Sequence, residues 1–334
     1  MTHSTHILRF CKAATAVAAL ASLLSAASLT RLKDIEWVIS LPTLQVPKWT
    51  QGGLIAVQHK DPRNPVIWMF SPSGDKSLHF SVPGAESTLI YDCDRATDGT
   101  IGISGSAADS DGRVAGFVAW ISPNDPNGQI IRTGSYRPAM VAIAPDGTLW
   151  TVGKQTAATA TSPAEIVSNA GAIQHFDRSG KTLGSFVPQS TIRNPHLTLS
   201  RTRNTLRASK DRIAWYSSDG RYVEMSLSGS LLTDFVVDVP PGRGKPLLDS
   251  IGFALTDEGD AFLSVLYDVT TTGAALLPID VFETYVLDRP ARAWRPVQVA
   301  GQSPRTGVGH LLGVDGQSLV VHGHRTIRFF ALGK

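Results

Sequence analysis

The chain has 334 residues, of which 18% are charged, and its formal net charge at pH 7 is only +3. A charge this small argues against nucleic-acid binding, which normally requires a clustered basic face. The low content of charged residues, together with 30 glycines and 20 prolines, favours short strands over long helices, and the length suffices for one large all-β domain or two smaller domains.

The N-terminal segment, residues 1–29, has the composition of a secretory signal peptide. Arg9 and Lys12 precede an uncharged apolar run over residues 13–29, and the small residues at 25–28 offer a cleavage site of the A-x-A kind. This pattern predicts export to the periplasm or the extracellular space. The alternative is an uncleaved membrane anchor, because about 17 apolar residues are near the lower limit for a span. Membrane contact is expected only through this segment.

The chain contains two cysteines, Cys11 and Cys93. If the signal peptide is removed, Cys93 has no partner, so the exported chain has no internal disulfide. Cys93 shares one face of a predicted strand with Leu89 and Tyr91. That position predicts a buried and unreactive thiol.

Four segments of the chain repeat one pattern, in which an acidic residue and a glycine separate two apolar runs. They are ATDGTIGISG (96–105), APDGTLWTVG (144–153), TDEGDAFLSV (256–265) and VDGQSLVVHG (314–323). Such pairs supply the positive φ angle of a two-residue hairpin turn, so each segment predicts a β-hairpin. The turn glycines Gly99, Gly147, Gly259 and Gly316 are separated by 48, 112 and 57 residues. The middle spacing fits two periods of about 56 residues. A period near 50 residues built from hairpins is typical of a β-propeller.

These hairpins and the alternating runs between them predict an all-β fold, a six-bladed β-propeller of four-stranded blades that forms one domain over residues 35–334. The blades are predicted to start near Gly53, Ser87, Ala139, Pro195, Ser250 and Gly307. The last blade lacks an outer strand, which the alternating segment IEWVISLP at 35–42 can supply. That strand would close the ring and leave only short exposed edges. A seven-bladed ring is the alternative if a long insertion hides a blade, but the residue count favours six.

The repeat at residues 144–187, with its Asp-Gly turn, second strand and FDRSGK turn, resembles the NHL-type and gluconolactonase-like six-bladed propellers. The resemblance extends over about residues 35–334, although TVGKQTA stands where many NHL repeats continue into an acidic, Asn-containing turn. It implies the propeller fold. For lactonase-like members it also implies a divalent metal at the channel mouth, held by carboxylate and amide oxygens, which polarises a lactone carbonyl.

Propellers bind ligands at the mouth of the central channel, on the loops that lead into the innermost strands. The polar residues at those predicted positions are Glu86, Arg137, Asn194, His196, Asp249 and Thr306. By their positions in the blades, Glu86, Asn194 and Asp249 match the ligands of a hard divalent cation such as calcium. Arg137, His196 and Thr306 are candidates for ligand binding at the same mouth. The plain alternative for each lone carboxylate is a solvated turn residue.

Two further patterns have a plain and a functional interpretation. His322 and His324 share one face of a predicted strand and could hold one metal ion, but two solvent-facing histidines are favoured. Six basic residues concentrate within 193–212, where they could recognise an anionic polymer such as an acidic glycan. A solvated blade face is the favoured interpretation of this basic segment.

Two functions are compatible with these observations. The first is an exported, non-catalytic scaffold of the cell envelope that binds a protein, peptide or glycan at its channel mouth and at insertions 154–172 and 266–282. It is favoured because the sequence contains no G-x-S-x-G, H-E-x-x-H or C-x-x-C motif. The second is a metal-dependent lactonase or esterase-type hydrolase at the channel mouth. The sequence leaves open whether the protein is an enzyme.

Overall fold

The computed structural model of the protein describes most of the chain after the N-terminal segment. The described residues are 28–36, 45–50, 52–71, 73–122, 124–157, 165–199, 205–242, 244–268, 281–300, 308–323 and 326–333. Within them the chain is almost entirely β-structure, which confirms the predicted all-β class. Thr306, His324, residues 158–164 of the first insertion and most of the second insertion lie outside the described residues.

The strands follow one another along the chain with short connections. The first nine are β1 (Ser28–Glu36), β2 (Gln45–Thr50), β3 (Gly53–Gln58), β4 (Val66–Ser71), β5 (Gly74–His79), β6 (Ser87–Arg95), β7 (Ile101–Ala108), β8 (Val114–Ser122) and β9 (Asp125–Gly134). The next eight are β10 (Tyr136–Ile143), β11 (Leu149–Gln155), β12 (Gly171–Phe176), β13 (Thr182–Pro188), β14 (Leu206–Ala208), β15 (Arg212–Tyr216), β16 (Arg221–Ser226) and β17 (Leu231–Val236). The last eight are β18 (Lys245–Leu255), β19 (Ala261–Asp268), β20 (Val281–Asp288), β21 (Ala293–Pro296), β22 (Gln298–Val299), β23 (His310–Asp315), β24 (Ser318–His322) and β25 (Thr326–Leu332). The helical structure described is one four-residue α-helix, α1 (Pro195–Thr198), and a 3-10 turn (Gln189–Thr191).

The strands form antiparallel sheets of four, each made mainly of consecutive strands. Four such sheets are separate: β6–β9, β10–β13, β14–β17 and β18–β21. A nine-stranded sheet contains two more groups of four, namely β2–β5 and the set β23, β24, β25 and β1. These two groups are joined by one parallel pairing of Trp49 with Gly313, and β22 adds to the outer side of β1.

The first strand of each group of four lies against the first strand of the next. The contacts run from β2 to β6, then to β10, β14, β18 and β23, and β23 lies against β2. A separate cluster of buried apolar side chains fills each interval between neighbouring sheets. The interval between the last and the first sheet holds Trp49, Phe70, Leu312 and Phe329. Sheets arranged face to face around their first strands form a β-propeller.

The predicted hairpins are confirmed, but most of their turns are longer than expected. Gly99, Gly147, Gly259 and Gly316 have φ angles of 85°, 82°, 92° and 59°. In the first three hairpins the N–H of the glycine donates to the carbonyl three residues earlier, as in Gly99 to Ala96 at 3.1 Å. These are three-residue turns with glycine in the left-handed position, and the two-residue turn predicted from the acidic-Gly pair is wrong for them. The preceding aspartate helps to close two of these turns, as when the N–H of Thr100 donates to Asp98.

Three predicted strand positions are wrong. The first strand of the first sheet is β2, and Gly53 begins the second strand. The sequence did not predict β2 because Pro47 and Lys48 give that segment the composition of a polar loop. Pro195 begins α1, and the first strand of that sheet is β14.

The outer strand of the last sheet also lies earlier than predicted. β25 pairs along its length with β1, from Leu29 opposite Leu332 to Glu36 opposite Thr326. The predicted segment 35–42 overlaps β1 only at its first two residues, and the rest of it lies outside the described residues. The start of β1 was not predicted because Ser28 and Leu29 end the apolar run that was assigned to the signal peptide.

Candidate functional site

Charged side chains complete the hydrogen bonding of the first strands along the channel. Apart from the one pairing between β2 and β23, each first strand has a strand neighbour on only one side, so its other backbone groups need different partners if they are buried. Asp92 accepts a hydrogen bond from the N–H of Val141 at 2.9 Å, and Asp94 accepts one from the N–H of Ile143 at 3.1 Å. The ammonium group of Lys48 donates to the carbonyl of Val141 at 2.9 Å. Side chains from two sheets therefore replace the missing strand next to β10.

Lys48 and Asp92 form a fully buried ion pair in this network. Lys48 Nζ lies 3.1 Å from Asp92 Oδ2, and each side chain is only 1% exposed. Asp92 Oδ1 also accepts the N–H of Cys93 at 2.9 Å. Burial raises the pKa of Asp92 above its ordinary value, although the Lys48 charge and the hydrogen bond from Val141 act in the opposite direction. The pair thus holds three sheets together at a considerable cost in desolvation.

Arg207 is a second buried cation in the channel. Its guanidinium donates to the carbonyl of Leu206 at 3.0 Å and to that of Leu312 at 3.4 Å. Burial lowers the pKa of Arg207, and the charges of Asp94 and Asp92 oppose this shift. The solvated blade face expected for the basic segment is therefore wrong for Arg207, which is 8% exposed.

A cavity of about 300 Å³ opens at the end of the channel where the first strands finish. The last residue of each first strand lines it. These residues are Thr50, Arg95, Ile143, Ala208, Leu255 and Asp315. We call the cavity that they surround the exit mouth. It lies at the opposite end of the first strands from the loops that the sequence suggested.

The exit mouth carries charges of both signs. Its lining includes three cations, Lys48, Arg95 and Arg207, and three acids, Asp94, Asp257 and Asp315. Lys48 is paired within the channel, and the carboxylate of Asp94 accepts two backbone N–H groups. The other charged residues of the lining are Arg95, Arg207, Asp257 and Asp315, of which Arg207 also donates to backbone carbonyls.

Several polar atoms of the lining residues are buried without a hydrogen-bond partner among the described residues. They are Trp49 Nε1, Thr50 Oγ1 and Arg95 Nε. Buried polar groups in folded proteins are nearly always hydrogen-bonded, and an exception calls for a water molecule, an ion or a ligand. Sequence reasoning missed this cluster, because no local pattern connects the six strand ends.

Those predicted site residues that the structure describes lie at the other end of the channel or away from it. Glu86 precedes β6, and its side chain is 56% exposed and pairs with Arg63 at 3.6 Å. Arg137 is the second residue of β10 and is half-buried. Asp249 lies inside β18 and not at its start, because that strand begins at Lys245. The side chain of Asp249 is outside the described part of the structure.

Asn194 and His196 lie on the connection into the fourth sheet. Both are exposed, and Asn194 has a φ angle of 52°. Asn194 lines a separate groove of about 390 Å³ with Asp219 and Asp238. The N–H of Arg193 donates to Asp219 at 2.8 Å, so one acid of this groove is already engaged.

The structure does not assemble a metal centre from these residues in the part of the chain it describes. No group of three or more His, Cys, Asp or Glu side chains there is arranged to hold a metal ion. His322 is half-buried opposite His310 in the β23–β24 pair, so its predicted exposure to solvent is not observed. Burial, with the nearby charges of His322 and Arg207, lowers the pKa of His310 to about 4. No described helix has the length and apolar character needed to cross a membrane.

Comparison with known proteins gives likeness only to solved structures. No family model matches the sequence, and no curated protein matches it. The Pan2 WD40 domain of Neurospora crassa has a TM-score of 0.44 at 12% identity, covering 93% of this chain and 98% of that one. A chain of the mitotic checkpoint complex has a TM-score of 0.43 at 11% identity, covering 91% and 96%. The C-terminal WD40 domain of Sif2 has a TM-score of 0.35 at 10% identity, covering 92% and 99%. The propeller assignment rests on the sheet topology given above, and no function is taken from these likenesses.

Proposed function

We propose that the protein is an exported, six-bladed β-propeller that acts as a binding scaffold and holds its ligand at the exit mouth. The observation that carries the proposal is that all six first strands end on one polar cavity. A protein, a peptide or a glycan can each insert a polar group there.

Six blades and a closed ring are supported by the contacts between sheets. The contacts between first strands lead from β2 through five other strands back to β2. The chain ends meet in the last sheet, where the N–H of Gly333 donates to the carbonyl of Ser28 at 2.8 Å. Membership of the NHL and gluconolactonase-like group remains a hypothesis supported by the hairpin pattern alone.

Binding is favoured over catalysis because the buried carboxylates of the channel are already engaged. A general base needs an oxygen that can reach a substrate proton. Asp92 accepts hydrogen bonds from two backbone N–H groups and from Lys48, and Asp94 accepts from two N–H groups. These groups serve to hold the first strands in place. The metal-dependent hydrolase stays the alternative, and a fall of the unfolding midpoint on chelation would favour it.

Export is supported by the N-terminal sequence and by the position of β1. Leu29 is fully buried, and β1 begins at Ser28. A mature chain that starts at Ser28 keeps all of β1, so we propose cleavage after Ala27. An uncleaved anchor would be left with residues 13–27, which would extend only about 22 Å as a helix against about 30 Å of hydrocarbon core.

The test is a thermal-shift screen with and without a blocked exit mouth. Sugars, amino acids, nucleotides, peptides and oligosaccharides are added in turn to the chain that begins at Ser28. A ligand that binds only the folded state raises the unfolding midpoint. The substitution Ala208→Trp fills the exit mouth and should abolish that shift. Ser228→Trp, in an exposed turn, is the matched control and should retain it. A shift that survives Ala208→Trp, or no shift with any compound, would overturn the proposal.

A further inference from the structure

Four residues that line the exit mouth present hydrogen-bond donors. The guanidinium of Arg95 makes no hydrogen bond or ion pair with the described residues, and its Nε is buried. Trp49 and Thr50 are 6% and 8% exposed, and each has a polar atom without a partner in the described structure. Arg207 adds a second positive charge. Arginine and hydroxyl donors together are complementary to a carboxylate.

Two other residues that line the exit mouth present acceptors. Asp315 is the last residue of β23 and is half-buried, and Asp257 lies in the turn after β18 and is exposed. The carboxylate of Asp315 accepts no hydrogen bond from the described residues. Asp257 accepts one, from the N–H of Lys210 at 3.2 Å. Two acids with free acceptor capacity are complementary to an ammonium group.

Three further residues of the lining are apolar, namely Ile143, Leu255 and Val314. The volume of about 300 Å³ is at the small end of ligand pockets, which hold compounds of low molecular weight. Because the charges of the lining residues sum to zero, neither a net anion nor a net cation is preferred.

We propose that the exit mouth binds a free aliphatic α-amino acid as its zwitterion. The carboxylate lies toward Arg95 and Thr50, the ammonium group faces Asp315, and the side chain contacts the apolar residues of the lining. This inference rests on the proposed function of the exit mouth as a binding site, and it assigns a free small molecule to that site in place of a protein, peptide or glycan.

The test is calorimetric titration of the chain with L-leucine and with two analogues that each lack one charged group. The analogues are 4-methylpentanoate, which lacks the amine, and 3-methylbutylamine, which lacks the carboxylate. Leucine should bind more tightly than either analogue by roughly ten-fold or more, since each charged group contributes its own hydrogen bonds. Equal affinity for leucine and one analogue would overturn the zwitterion assignment.

Two variants assign the charged groups to their partners. Arg95→Met should bind leucine and 3-methylbutylamine equally well, and it should still bind leucine more tightly than 4-methylpentanoate. Asp315→Asn should bind leucine and 4-methylpentanoate equally well, and it should still bind leucine more tightly than 3-methylbutylamine. Arg95→Lys keeps the charge without the planar fork, so it should give an intermediate affinity and guards against a folding defect in Arg95→Met. Arg113→Met, on an exposed turn, is the matched control and should bind like the unmodified chain. Unchanged preferences in both variants would overturn the placement.

The outcomes separate this inference from the proposed function. If leucine fails to bind but another compound gives a shift that Ala208→Trp abolishes, the amino-acid class is wrong and the exit mouth remains the binding site. If no compound gives such a shift, both proposals fail.

Discussion

Replacing Lys48 with methionine should destabilise the fold far more than the loss of a surface charge. The substitution removes the partner of Asp92 at 3.1 Å and leaves the carbonyl of Val141 without its donor at 2.9 Å. Because Lys48 and Asp92 are each 1% exposed, the substitution leaves a buried carboxylate without its partner charge. Breaking a buried pair in this way costs about 3–5 kcal/mol of unfolding free energy.

The loss of unfolding free energy in Lys48→Met should depend on pH, and the direction of this dependence follows from the pKa of Asp92. Burial raises the pKa of Asp92 in the folded state. Protonation of Asp92 as the pH falls therefore stabilises the folded protein relative to the unfolded chain. Loss of Lys48 raises that pKa further. The difference between Lys48→Met and the unmodified chain should therefore be largest near pH 8 and shrink as the pH approaches the ordinary pKa of an aspartate, about 4.

Urea unfolding followed by tryptophan fluorescence measures this difference. Arg295→Met is the control, because the Arg295–Asp288 pair is at the surface, with side chains 57% and 25% exposed, and its loss should cost less than about 1 kcal/mol. The double variant Lys48→Met with Asp92→Asn should be less destabilised than the sum of the single variants. Equal costs for Lys48→Met and Arg295→Met would refute the structural role of the channel pair.

Three further predictions concern other parts of the fold. Burial lowers the pKa of His310 from 6.5 to about 4, so His310 is protonated in the unfolded chain at a higher pH than in the folded protein. The unfolding free energy should therefore drop by up to about 3 kcal/mol between pH 6.5 and pH 4. A pH series on His310→Gln should show a smaller drop. Glu224 is 1% exposed and accepts a hydrogen bond from Arg289 at 3.1 Å. Because Arg289 is partly exposed, Glu224→Gln should cost about 1–3 kcal/mol in urea unfolding, as for the loss of a hydrogen bond to a charged group, and an unchanged unfolding free energy would contradict this. A chain that begins at Trp37 lacks β1 (Ser28–Glu36), which covers β25; it should lose its cooperative thermal transition in calorimetry, and an unchanged midpoint would rule out a structural role for β1.

The local features of the fold could be predicted from sequence because their determinants are close together in the chain. Gly147, for example, closes a turn with Ala144, and the apolar runs on either side of it alternate as strands do. The first strand of the first sheet could not be recognised in the same way. Lys48 interrupts its apolar pattern, and its partners Asp92 and Val141 are 44 and 93 residues away.

The exit mouth could not be predicted for a related reason. It is formed by strand-final residues such as Ile143, Ala208 and Leu255, which are ordinary apolar residues in the sequence. Only the fold brings six strand ends to one cavity. Sequence reasoning instead selected polar loop residues such as Glu86, which is exposed.

The most direct test of the central claim is to measure which end of the channel a ligand protects. The chain that begins at Ser28 has one cysteine, Cys93, which is buried as predicted and whose pKa is raised well above its usual value by burial, so it should not react. Ala208→Cys and Glu86→Cys each introduce one reactive thiol, at the exit mouth and at the opposite end. A saturating ligand, L-leucine or the best compound of the screen, should slow maleimide labelling of Ala208→Cys by roughly ten-fold or more and leave Glu86→Cys unchanged. Protection of Glu86→Cys alone would contradict the account and move the site to the end of the channel that the sequence suggested.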